Sequence, residues 1–129
     1  MRALLVAVIA AALWAAVRRP VRYEIADHSM EPTLRPGDWV IAWRRPGRIR
    51  LGDVVVVEHP RRPGFEMVKR VAALGDEPGT GIPERGLWLL GDNPGAGSVD
   101  SRIIGGFPGS SLRARVVARY RPLPPRRIR

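Results

Sequence analysis

Of the 22 lysine and arginine residues in the chain, every one except Lys69 is arginine. A guanidinium stays protonated inside proteins, whereas a desolvated lysine amine can lose its proton near neutral pH and act as a base. Position 69 therefore stands out as a place where arginine does not serve, although an arginine-biased composition with one leftover lysine would carry the same letters. Lys69 sits in the apolar-rich run FEMVKRVAAL of residues 65–74, where such desolvation is available. The second reactive candidate is Ser29, in HSMEPTL of residues 28–34. Pro32 turns the chain just beyond it, so the hydroxyl can sit on a turn. A turn serine alone carries no chemistry, but a serine paired with a lone lysine on a strand fits the Ser-Lys form of the serine nucleophile. A histidine-based triad is the rival. His28 adjoins Ser29, and adjacent residues rarely direct side chains at one another, while His59 lies at a strand end and reads as a turn residue.

Four segments carry a resemblance to a known family. Ser29-Met30-Glu31-Pro32-Thr33-Leu34 resembles the S-M-x-P-T-L box of type I signal peptidases, the S26 Ser-Lys proteases. Gly52-Asp53 followed by Val54 to Val57 is similar to that family's G-D-x-V-x-V strand, and Lys69-Arg70-Val71 with Gly75-Asp76 to its K-R-V…G-D box. Gly91-Asp92-Asn93 with Ser98-Val99-Asp100-Ser101-Arg102 is similar to its G-D-N…S-x-D-S-R box, slightly lengthened by residues 94–97. Each box alone is weak or moderate; four in order are strong, and together they cover roughly residues 25 to 120.

The resemblance implies acyl transfer in which Ser29 attacks and neutral Lys69, desolvated among Met67, Val68 and Val71, takes and returns the proton. It implies that Ser98 orients the lysine amine, and that Asp100, Arg102 and Arg70 form the ion pairs bracing the site. Substrate would add as a strand beside residues 66–69. Ile25, Ala26, Met30, Leu34, Met67 and Val68 would then wall an apolar pocket suited to the small side chains of A-x-A cleavage sites. These same residues could equally be ordinary core, loop or surface positions. Asp27 departs from the family pattern. Many bacterial members carry a serine two residues before the nucleophile, whose hydroxyl joins the oxyanion hole, and an ionised carboxylate cannot donate a hydrogen bond. Three solutions are open: a protonated carboxyl, another donor, or a side chain turned away towards Arg22. The expectation is that it turns away.

The elements that must position these groups read as short strands between Gly/Pro turns. Residues 3–17 are an unbroken apolar run, about 22 Å as a helix against a hydrocarbon core of ~30 Å. It reads as a membrane anchor, with a cleaved signal or a buried core helix as alternatives; the arginines at 18, 19 and 22 can snorkel to lengthen the span. Pro20 ends it. Strands are expected at 21–26, 39–43, 54–59, 67–74, 87–90 and 113–120, with a loop at 75–86 and a solvated basic tail at 126–129. The fold class is mainly β, an antiparallel folded sheet or barrel of the signal-peptidase type with an N-terminal apolar helix. Residues 1–20 are expected to be the anchor and 21–129 the catalytic domain, a minimal version lacking the second domain of larger members.

Composition narrows the partners. There are no cysteines and two histidines, so a thiolate metal site is excluded and no metal or other cofactor is expected. A net charge of +10 suits anionic membranes or nucleic acid; without a nucleic-acid motif, and with basic clusters flanking an apolar run, the membrane is the expected partner and nucleic acid is not. The reading is a single-pass cell-membrane endopeptidase, its domain on the outer face, releasing leader peptides from preproteins. A cytoplasmic orientation is slightly favoured by the arginines after the run. The alternatives are a maturation peptidase of the same family acting on a propeptide, similar to those trimming nickel-type superoxide dismutase precursors, and an inactive basic membrane-associated binding module.

Overall fold

A computed structural model describes residues 1–76, 79 and 81–129, the side chain of Arg18 excepted. The loop expected at 75–86 thus contains three positions, 77, 78 and 80, outside the described residues. Helix α1 (Arg2–Arg18) ends two residues before Pro20, which opens β1 (Pro20–Glu24). Then come β2 (Trp39–Trp43), β3 (Val54–Glu58), β4 (Glu66–Leu74), β5 (Leu87–Leu90), a one-turn helix α2 (Ser101–Ile104), β6 (Leu112–Arg121) and β7 (Arg126–Arg127).

The strands form one antiparallel sheet in the order β1-β2-β6-β3-β4-β5, with β7 added beside β6. Among the described residues β1 and β5 pair only with β2 and β4, so the sheet is open and not the closed barrel that was one of two expectations. The sequence-distant strand β6 fills the middle, pairing Trp43 with Arg115 on one side and Val55 with Arg115 on the other.

Strand β3 explains the architecture. Four consecutive valines favour an extended chain through their branched Cβ, and all four are buried. Alternation sends Val54 and Val56 into a cluster with Ile25, Met30, Leu34, Val40, Ala42, Ala114 and Val116, whereas Val55 and Val57 join Met67, Val71, Leu87, Leu89 and Phe107. A strand covered on both faces requires the sheet to curl over each. Val21 and Tyr23 of β1 and Val68 of β4 pack against the same first cluster, so β1 and β4 face one another across a groove although three strands part them in the sheet order.

Helix α1 is exposed at every residue whose side chain is described. That removes the buried-core-helix alternative. Trp14 meets Trp43 edge to face at 5.3 Å, and the Arg44 amide donates to the Arg19 carbonyl, fastening the helix end to the β2 end. Seventeen residues rise about 25 Å; among the described residues no helix is long and apolar enough to cross a membrane. The tail differs from expectation in part. Its arginines at 126, 127 and 129 are exposed as expected, but the tail is also anchored: β7 pairs with β6, Ile128 packs on the first cluster and the Arg126 guanidinium donates to the Thr33 carbonyl at 2.6 Å.

Candidate active site

Ser29 lies on the loop between β1 and β2, closed at its base where the Ile25 amide donates to the Asp38 carbonyl and the Gly37 amide to the Ile25 carbonyl. Gly37, at φ +88°, makes the turn that β2 needs. Met30 and Leu34 are fully buried plugs that tie the loop to the first cluster, and the hydroxyl-bearing Ser29 between them and the surface is itself only 2% exposed.

A second turn holds this loop from the other side. The Asn93 amide donates to the Ser29 carbonyl at 2.9 Å, the Asn93 side chain to the His28 carbonyl at 3.1 Å, and the Thr33 hydroxyl to Asp92 at 2.6 Å. Asp92 is held in turn by a two-pronged bond from Arg70, at 2.8 and 2.7 Å. Gly91 lets the two turns meet: a Cβ there would lie 2.7 Å from the Ser29 carbonyl oxygen and 3.3 Å from the Ser98 hydroxyl.

Lys69 is one of the largest fully buried side chains among the described residues, 1% exposed, on the face of β4 shared with Met67 and Val71. Val68, expected beside the amine, points to the opposite face because strand neighbours alternate, and it packs on the first cluster. The Lys69 amine donates to the Ser98 hydroxyl at 3.3 Å. Burial pushes its pKa below the usual lysine range; the Asp27 and Asp100 carboxylates oppose that, and the Arg102 guanidinium adds to it.

The other expected residues divide into separate groups. Asp100, fully buried, accepts both side-chain bonds of Arg102 and the amides of Gly91 and Arg102. Burial alone would raise its pKa, but the Arg102 guanidinium and these amides hold it below the usual carboxylate range. Arg70 does not belong to that pair, as the single bracing set would have it; its partner is Asp92. Burial acts against the Asp92 carboxylate too, but bonds from Arg70 and Thr33 bring its pKa down. Ile25, Ala26, Met30, Met67 and Val68 line one groove of about 190 Å³ with Tyr23, Glu24, Asp27, Val56 and Glu66. Leu34 is not among the lining residues and belongs to the core beneath.

Asp27 is corrected most sharply. It does not turn away towards Arg22: its Oδ1 accepts the Ser29 hydroxyl at 2.7 Å and the Ser29 amide at 3.0 Å. No hydrogen bond joins Ser29 to Lys69 among the described residues. Neither histidine bonds to the Ser29 hydroxyl. His28 is exposed and pairs with Glu31 at 3.0 Å, and His59 accepts from the Arg61 amide in the β3–β4 turn and packs edge to face on Phe65. No cluster of potential metal ligands occurs among the described residues.

Sequence reasoning missed Thr33, Asn93 and Asp92 as the clamp on the Ser29 loop. The signal was present, since all three stand inside the quoted boxes. What it lacked was a reason to connect a threonine hydroxyl with a carboxylate 59 residues away.

The arrangement brings a buried hydroxyl, an amine biased towards its free base and an apolar groove into one neighbourhood. Comparisons with known proteins bear on it. A family model described as signal peptidase, peptidase S26, matches residues 1–79, a stretch that contains both Ser29 and Lys69. Mitochondrial inner membrane protease subunit 1 of Xenopus tropicalis is 36% identical over 110 residues, 74% of this chain and 65% of that protein. Mitochondrial ATP-independent inner membrane protease subunit 1a of Arabidopsis thaliana is 38% identical over 112 residues, 73% of this chain and 66% of that protein. For the subunit 1 of Schizosaccharomyces pombe the identity is 36% over 111 residues, 74% and 70% of the two chains. The chain thus spans a little under two thirds of the length of the first two relatives.

Proposed function

Because the chain belongs to the signal peptidase S26 family, we propose that it is a membrane-attached serine endopeptidase that removes leader peptides after small residues by a Ser-Lys dyad. The observation that carries this reading is the burial of the chain's one lysine, its amine biased towards the neutral form, beside the loop that bears Ser29. Neutral Lys69 takes the Ser29 proton as Oγ attacks the scissile carbonyl, and the resulting ammonium gives that proton to the leaving amine when the C–N bond breaks. Water, deprotonated by the same amine, then hydrolyses the ester. Ser98 is the orienting partner of the amine, and the Asp100–Arg102 pair fixes the segment that carries Ser98. Arg70 and Asp92 brace the nucleophile loop through Thr33.

The groove between β1 and β4 would take the substrate as an added strand, the exposed edge groups of both strands pairing with its main chain. About 190 Å³ walled by Ile25, Ala26, Met30, Met67 and Val68 suits alanine-sized side chains better than large ones. Residues 21–129 form the catalytic domain in this reading, and residues 1–20 attach it to the membrane. A single pass requires Arg19 and Arg22 to extend the span by snorkelling, since α1 alone is short. The domain faces the outside, where preproteins emerge.

The test is incubation of the full chain in detergent with a preprotein carrying an Ala-x-Ala junction, followed by mass analysis of the products. Cleavage at the junction is expected. Its loss, by a factor on the order of 10³ or more, is expected in both Ser29→Ala and Lys69→Arg. Substantial activity in folded Lys69→Arg removes the dyad. Cleavage of a propeptide but not of a leader junction points instead to a dedicated maturation peptidase.

A further inference from the structure

Acyl transfer needs a donor for the oxygen that becomes negative, and the backbone N–H of the nucleophilic residue is a common one. Here that N–H is occupied. Asp27 Oδ1 takes the Ser29 amide and the Ser29 hydroxyl together, at 3.0 and 2.7 Å. A carboxylate accepting the amide two residues on is an ordinary local turn. Two further facts distinguish this one. The same oxygen also holds the hydroxyl proposed to attack, and Asp27, an exposed residue, lines the groove in which a substrate would lie.

We propose that Asp27 is a substrate-displaced latch: at rest its carboxylate holds the Ser29 hydroxyl and amide, and the substrate carbonyl must expel it before attack. This rests on the Ser-Lys reading above and deepens it. An anionic oxygen cannot share the Ser29 amide with a developing oxyanion, because two like charges would meet within hydrogen-bond distance of one N–H. While the latch is closed, the Ser29 proton is directed at Asp27 and not at Lys69. When a substrate carbonyl enters, the carboxylate leaves, the amide turns to the carbonyl oxygen and the hydroxyl becomes free to rotate towards the amine.

The latch also acts on the base. The charged groups acting on the Lys69 amine are Asp27 from the nucleophile loop and Asp100 and Arg102 from the segment around α2; Glu24 and Glu66 line the groove. Asp27 favours the ammonium form, so its departure moves the amine towards the free base at the moment a base is wanted. Closed, the site has its nucleophile held and its base biased to the charged form; opened by substrate, it loses both restraints.

Asp27→Ala and Asp27→Asn separate the two effects. Asparagine keeps an acceptor oxygen but drops the charge; alanine drops both. For cleavage of a synthetic peptide spanning an Ala-x-Ala junction, the plateau kcat/KM is expected to rise roughly three- to tenfold in Asp27→Ala and less in Asp27→Asn, since charge-assisted bonds are the stronger ones. The acidic limb of the pH profile moves to lower pH in both. A plateau that falls tenfold or more in a folded Asp27→Ala protein overturns the latch and makes the carboxyl a working part of the reaction. An unchanged plateau and limb overturn it too, leaving a local turn.

A second readout does not depend on turnover. Lys69 is the only lysine, so an isotope-labelled lysine gives one side-chain NMR signal whose titration reports this amine alone. Its midpoint is expected to fall in Asp27→Asn and Asp27→Ala; an unmoved midpoint overturns the effect on the base. If the wild-type protein cleaves nothing, the peptidase reading fails while this titration still decides whether Asp27 governs the amine.

Discussion

An amine sealed in a protein interior sheds its proton more readily than one in water, and Lys69 at 1% exposure is so placed. If it is the base, kcat/KM climbs with pH through its lowered pKa and levels off above it, earlier than an exposed lysine would allow. Stability responds in a definite direction as well. Between the lowered folded pKa and the unfolded value near ~10.4, the unfolded chain holds a proton that the folded chain has released, so stability rises with pH across that window. Asp92 and Asp100 act at the other end. Their folded pKa values lie below the unfolded ones, so their contribution is present above the unfolded value and is lost as pH falls through the folded one. Denaturant unfolding at a series of pH values should show both slopes, and Lys69→Met should abolish the alkaline rise while leaving the acid loss. Lys69 was legible in the sequence because it is a unique letter. The direction taken by the Asp27 carboxyl was not, since neither spacing nor periodicity records the rotamer of an exposed side chain.

The Ser29 loop and the turn at residues 91–93 form one unit although the chain separates them widely. Gly91→Ala tests their contact. A methyl 2.7 Å from the Ser29 carbonyl oxygen meets backbone there and the Ser98 hydroxyl at 3.3 Å, so the loop must lift and the Asn93–Ser29 bond must break. Turnover should fall by about 10² or more, a displacement of ~1 Å being enough for that, while a thermal melt still shows a cooperative transition. Strands β1 to β6 were readable from alternation, apolar runs and β-branching between turns, because those patterns describe a residue's own faces. Their order was not, since pairing depends on partners anywhere in the chain. The two-residue β7 had no readable pattern at all. Arginines dominate it, and what fixes it is Ile128 on the core and a bond from Arg126 to a carbonyl 93 residues earlier.

Charge and the exposed apolar helix act on the molecule as a whole. With +10 net charge and α1 uncovered, the full chain should sediment with vesicles containing anionic lipid; added salt should weaken the electrostatic part and deletion of residues 1–19 most of the rest. Full retention by the deleted chain would place the attachment in the β domain. A different consequence follows from the position of β6. It is the last long strand to be synthesised, yet it lies between β2 and β3, so until residue 121 has left the ribosome no strand pairing joins the piece β1-β2 to the piece β3-β4-β5. Ser29 belongs to the first piece and Lys69 to the second. The sheet that sets Ser29 and Lys69 relative to one another is therefore complete only once β6 has been inserted. The same non-local closure makes folding slow for a protein of this size. Chains stalled at residue 111 should be degraded by a probe protease throughout, and full-length chains should gain resistance in both pieces at the same moment.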